Sequence, residues 1–215
     1  GGELADLAEI VRLLSAHPVS VPLVEASVAT WAAAGAGLDV GEPTLCVPVL
    51  PRSGESLTVD GGRVSGVATR VPWACLADRL LVAAGDRLAL VDPTSDGVTI
   101  TPGSNLAEEP RDTVSFRAAP VLAEAAGPGV DRLRARAALL RTAGIVGALE
   151  RAGELTLEHV RTREQFGRPL VAFQAVGHGV AEIACEREQA RAALAAVLAA
   201  PDDPQQLAVA RVVTG

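Results

Sequence analysis

Arg163-Glu164-Gln165-Phe166-Gly167-Arg168-Pro169-Leu170-Val171-Ala172-Phe173-Gln174-Ala175-Val176 separates the two longest helical stretches of the chain. Upstream, Asp131 to about Arg163 contains no proline and is dense in Ala, Leu, Arg and Glu, which predicts one long helix with Asp131 as its N-cap. Downstream, a second long helix runs from about Val171 to Ala199, and Pro201-Asp202-Asp203-Pro204 stops it. A third helix begins near Gln205 and is cut off at Gly215. Long helices joined by short breaks predict an antiparallel bundle, and the small residues Ala143, Gly144, Gly147 and Ala148 leave room for another helix to come close. At the break itself, an Arg at a helix end beside a Gly turn and the next helix N-terminus makes a local positive site suited to a pyrophosphate. The plainer alternative is that Arg163 and Arg168 pair with Glu154, Glu158 or Glu164 on the surface.

Before the bundle the texture differs. Leu4, Leu7, Ile10, Val11 and Leu14 recur at three- and four-residue steps, a helical face that His17-Pro18 ends. A second helix is expected from about Pro22 to Ala34, closed by Gly35 and Gly37. Between Glu42 and Pro120, turn formers recur every eight to twelve residues and separate short runs rich in Val, Leu and Thr. Leu57-Thr58-Val59 and Arg63-Val64-Ser65-Gly66 flank Asp60-Gly61-Gly62 as a hairpin. Leu80–Ala83 and Leu88–Val91 flank Gly85-Asp86 as another, followed by Val98-Thr99-Ile100 and Thr113–Phe116. The expected fold class is α+β: N-terminal helices over 1–40, a central antiparallel β-barrel or sandwich over 41–122, and a C-terminal antiparallel helical bundle over 128–215 after the Gly127-Pro128-Gly129 breaker.

Composition excludes several classes. The chain has 215 residues, 49% of them hydrophobic and 21% charged, which is a folded protein with a sizeable core and not a disordered one. Aromatics are 2%, so Ala, Leu and Val must build that core. A net charge of -7 with no basic block argues against nucleic acid as a partner. The apolar runs Val19–Val24 and Ala32–Leu38 are far shorter than the roughly 20 residues of a membrane span, no secretory pattern stands at the N-terminus, and a cytoplasmic address is expected. With Met 0, even at position 1, the chain is expected to be a fragment of a longer product. Cys46, Cys75 and Cys185 have neither disulfide nor zinc spacing and read as structural, as do His17, His159 and His178; no metal site is expected.

The fourteen residues quoted first resemble the acyl-CoA dehydrogenase family, in which a long helix ends in an R-x-x-F-G turn and an (F/H)-Q pair opens the next one. Ala181-Glu182-Ile183-Ala184 also resembles the family's second bundle helix. The resemblance implies FAD as cofactor and acyl-CoA as substrate, oxidised by α,β-dehydrogenation, in lipid metabolism. It places Arg163, Gln165 and Phe166 on the adenosine pyrophosphate side of a FAD bound mainly by a neighbouring subunit, with Gln174 close to the same cofactor. Val64-Ser65-Gly66 through Asp78 is similar to the family's β-domain flavin pattern, but Arg70 takes the place of its aromatic, Pro72 that of its Ser/Thr and Trp73 that of its Asn. Trp73 is the residue left there to stack on a flavin, against a half-buried packing role. Thr44 to Gly54 stands where the family has an acidic loop.

No catalytic base can be named. The place that some members give to a Glu on the first long helix is Ala137 here, and Glu150 and Glu154 read as a solvated helix face. These departures resemble one subunit of the heteromeric actinobacterial sterol side-chain enzymes, which pair two unlike chains. The implied partner is a homologous subunit in a hetero- or homo-tetramer. A non-catalytic scaffold of the same fold is the alternative.

Overall fold

The computed structural model describes residues 3–42 and 44–214. Among the described residues, five α-helices and ten strands follow one another as α1 (Leu4–Ser15), α2 (Leu23–Gly35), β1 (Cys46–Val49), β2 (Leu57–Asp60), β3 (Arg63–Pro72), β4 (Arg79–Ala84), β5 (Arg87–Val91), β6 (Val98–Thr101), β7 (Arg111–Pro120), β8 (Ala123–Ala126), α3 (Val130–Thr162), β9 (Glu164–Gln165), β10 (Arg168–Pro169), α4 (Gln174–Ala199) and α5 (Pro204–Thr214). Short 3₁₀ turns lie at Ala74–Leu76 and Leu170–Ala172. The chain forms two compact units, one of residues 20–137 and one of residues 1–19 with 138–215.

In the first unit two four-stranded sheets, β1-β4-β5-β8 and β2-β3-β7-β6, enclose a common core. Val47, Val49, Leu80, Val82, Ala89 and Val91 enter it from one sheet, and Val64, Ala68, Val71, Val114 and Phe116 from the other. The expected hairpins are present: Asp60 pairs with Arg63 across Gly61 and Gly62, both at positive φ, and Ala84 pairs with Arg87. The expectation of a wholly antiparallel domain needs one correction, because β1 runs parallel to β4. Along β4 and β5, Leu81, Ala83, Leu88 and Leu90 are buried as fully as their neighbours, so both faces of that sheet are covered; α2 packs on β1. Beside it, Trp31 of α2 receives the guanidinium of Arg136 at 4.3 Å and that of Arg132 at 5.7 Å from α3.

In the second unit α1 lies on α3, burying Ala8 and Val11. Gly147 makes this possible: a Cβ there would stand 1.9 Å from the Arg12 carbonyl oxygen, and one on Gly144 would stand 2.9 Å from Ser15 Oγ. Ala143 is buried, whereas Ala148 is exposed. Glu150 is not solvated as expected. Its carboxylate is held by Arg12 of α1 and lies 3.4 Å from Arg191 of α4, with 15% of its side chain exposed. Glu154 does lie on the exposed face, paired with Arg151 at 3.3 Å. Two boundaries also differ. Helix α3 starts at Val130, so Asp131 sits in its first turn and pairs with Arg134 at 3.0 Å instead of capping; α4 starts at Gln174, after the 3₁₀ turn.

Candidate functional site

The break between α3 and α4 is a miniature hairpin. Gln165 pairs with Arg168 across Phe166 and Gly167, at φ 54 and 77. Two successive positive φ values define a type I′ turn, which glycine adopts freely and phenylalanine only at a cost of about 1 kcal/mol or more. The strained Phe166 ring is 92% exposed. Its one aromatic neighbour is Phe173, edge to face with centroids 6.2 Å apart. The Arg168 guanidinium lies 4.1 Å from the Phe173 ring centroid. The turn is anchored from both sides, since Arg163 N–H donates to His159 O at 2.9 Å and Leu170 N–H donates to Arg163 O at 2.9 Å.

Thus Arg163, Gln165, Phe166 and Gln174 come together at one exposed hairpin and the helix start that follows it. The surface ion pairs weighed as an alternative do not form: Glu154 is taken by Arg151, and among the described residues Arg163 and Arg168 have no carboxylate partner. Phe173, the N-cap of α4, gives no side-chain hydrogen bond to the helix start. Unpaired guanidinium charge beside open helical N–H groups is a seat for an anion, and a bare aromatic beside it can cover a flat ring. The Arg168–Phe173 stack was not foreseen, although the i, i+5 spacing of an Arg and a Phe around a helix start was its visible signal.

Trp73 belongs to the other unit. It sits at φ 59 before the 3₁₀ turn and is 9% exposed, its ring in the sandwich core. Arg70, also at positive φ, stands at a β-bulge of β3 between Ala68 and Val71 and is exposed. Ahead of it, Glu55 accepts hydrogen bonds from Arg52 N–H at 2.8 Å and from both the N–H and hydroxyl of Thr69. Burial pushes the Glu55 carboxyl up, yet those hydrogen bonds and the nearby Arg52 charge outweigh it and hold the group below the ordinary 4.5 of a glutamate. A depressed carboxyl stabilises the fold above its unfolded pKa and loses that contribution as pH falls through the folded value. Glu55→Gln is therefore expected to weaken the protein at neutral pH and to flatten its loss of stability below about 4.5, read from melting curves across pH.

Among the described residues no group of three or more His, Cys, Asp or Glu could hold a metal ion, and His17, His159 and His178 are all exposed. Cys46 is buried, and burial pushes its thiol up to about 12. No helix among the described residues is long and apolar enough to cross a membrane.

A family model described as the C-terminal domain of acyl-CoA dehydrogenases matches residues 134–214, the segment that holds the hairpin. Acyl-CoA dehydrogenase FadE28 of Mycobacterium tuberculosis is 35% identical over 150 residues, covering 67% of this chain and 42% of that protein. IpdE2 of Mycolicibacterium smegmatis, also an acyl-CoA dehydrogenase, is 31% identical over 205 residues, covering 94% of this chain. The chain belongs to the acyl-CoA dehydrogenase family. Solved structures are similar in fold: a chain of the ChsE4–ChsE5 complex of M. tuberculosis superposes with a TM-score of 0.83 at 25% identity, covering 99% of this chain and 66% of that one. A Tcur3481–Tcur3483 steroid ACAD variant gives 0.85 at 27%, covering 98% and 65%. The chain spans 42% of FadE28 and 59% of IpdE2 in length. The two units present unlike surfaces: the α3–α4 hairpin exposes Arg163 and Arg168 beside an uncapped helix start, whereas in the β domain Pro72 has no N–H to give and the Trp73 ring is enclosed.

Proposed function

We propose that this chain is a cytoplasmic subunit of a FAD-dependent acyl-CoA dehydrogenase that oxidises an acyl-CoA between its α- and β-carbons, working in a hetero-oligomer with a homologous subunit. The observation that carries the reading is the α3–α4 hairpin, with Phe166 strained and exposed and with two arginines, Arg163 and Arg168, that have no carboxylate partner among the described residues. Family membership supports FAD, and the two-component structures to which the fold is similar support an unlike partner. When bound, FAD supplies the acceptor for the β-hydrogen as hydride. This chain's part would be to hold it: Arg163 would offer the pyrophosphate charge-assisted hydrogen bonds, Gln165 and Phe166 would line the same side, and Gln174 would stand close by.

Proton removal from the α-carbon needs a carboxylate, and Ala137 offers none. Arg70, Pro72 and the enclosed Trp73 favour, as a second reading, a partner that completes the other subunit's FAD site or holds the complex together without turning over substrate itself. A steroid thioester is the substrate class that the likeness to the Tcur3481–Tcur3483 steroid ACAD favours. The purified chain alone is expected to be inactive towards acyl-CoA, with dehydrogenation appearing when the product of the adjacent gene is co-expressed. Robust turnover by this chain by itself would refute the hetero-oligomeric assignment.

A further inference from the structure

Asp112 of β7 is a carboxylate with 0% exposure, and the proposed function gives it no task. Its Oδ2 accepts Cys75 N–H at 2.8 Å and its Oδ1 accepts Gly103 N–H at 3.2 Å. Two more backbone bonds join the same place: Trp73 N–H donates to Pro110 O at 3.3 Å, and Arg111 N–H to Gly103 O at 2.8 Å. Gly103 lies so close that a Cβ would stand 2.5 Å from the Arg111 carbonyl oxygen. The turn after Trp73 and the loop after β6 are thus both fastened to one buried carboxylate. Trp73 is held at φ 59, a conformation that a bulky residue keeps only when its surroundings impose it.

We infer that Asp112 is a positioning residue that locks the Trp73–Leu76 turn with the indole in the sandwich core, and so leaves this β domain without a free aromatic for a flavin ring. The inference deepens the reading above, on which it rests for the flavin: it names the residue that keeps the one aromatic between Val64 and Asp78 in the core. A carboxylate suits the task because it accepts two N–H bonds at once from different segments, and an amide side chain in its place has one oxygen to offer. Burial first, and then the Asp112 carboxylate, also push the Cys75 thiol up. Cys75 therefore reports on the lock.

The test compares the full chain with Asp112→Asn in a Trp31→Phe, Cys185→Ser background, which leaves Trp73 as the fluorophore and Cys75 as the exposed thiol. Asn is expected to shift Trp73 emission to longer wavelength as the indole meets water, and to move the pH profile of Cys75 alkylation to lower pH. With the original Asp112, added FAD should leave Trp73 emission unquenched. Unchanged emission and alkylation in the Asn variant would overturn the inference, as would quenching of Trp73 by FAD while Asp112 is present. Should the variant not fold, hydrogen exchange of the unaltered chain decides: Cys75 and Gly103 amides protected like core strands support the lock, and exchange at the rate of open loops refutes it. A mixed complex that holds no flavin would sink the proposed function and leave these readouts standing.

Discussion

Gly147→Ala is expected to lower the stability of the protein by about 2 kcal/mol, although alanine is the better helix former by about 1 kcal/mol. The new methyl would meet the Arg12 carbonyl oxygen at 1.9 Å, its carbon at 2.8 Å and the Arg12 Cα at 3.1 Å. All three are backbone atoms of α1, so no rotamer change relieves the overlap and the whole helix must withdraw. Withdrawal uncovers Ala8 and Val11 and pulls Arg12 from Glu150. For a chain of this size the cost corresponds to a fall in melting temperature of about 4–8 °C. Gly144→Ala is the control. Its methyl would meet the Ser15 hydroxyl at 2.9 Å, the free end of a side chain that can turn away, so a melting temperature within about 2 °C of the parent is expected. Equal effects at the two glycines would contradict this account of the α1–α3 contact.

Arg163→Ala is expected to weaken FAD retention in the mixed complex by about 30-fold, the equivalent of about 2 kcal/mol for a lost charge-assisted hydrogen bond. The residue is exposed, follows the last turn of α3, and gives its side chain to no carboxylate among the described residues. Removing it should therefore cost the fold little and the ligand much. A melting temperature near that of the parent together with loss of yellow colour from the complex is the predicted pattern. Arg163→Lys is expected to fall between, because an ammonium keeps the charge but not the paired geometry of a guanidinium. Equilibrium dialysis against FAD reads all three, and unchanged retention in Arg163→Ala would remove the hairpin from the cofactor site.

Much of this was legible in the sequence, and the misses have physical causes. Amphipathic periodicity and breakers located α1, α2, α3 and α5 to within a residue or two, and glycine turns located the β2–β3 and β4–β5 hairpins. Strand β1 escaped because Cys46-Val47-Pro48-Val49 is buried on both faces and shows no alternation, while its partner β4 lies more than thirty residues on. Pro48 is tolerated because β1 is an edge strand. Strand β8 escaped because Ala-Glu-Ala-Ala has little strand propensity and pairs through the register that β5 offers. Glu150 reads as solvated because its partners Arg12 and Arg191 are remote in sequence. Asp112 gave no signal at all, since one Asp in a strand shows nothing of the two amides that converge on it.

The central claim is that this chain lends its α3–α4 hairpin to a flavin site that it does not build alone. Visible absorption with native mass, taken on the full-length protein expressed by itself and again with the product of its adjacent gene, tests that claim most directly. The account predicts no flavin on the chain alone and flavin in a complex of both chains. Stoichiometric flavin on the chain alone would contradict it, and would mean that a β domain with Arg70, Pro72 and an enclosed Trp73 still seats the ring.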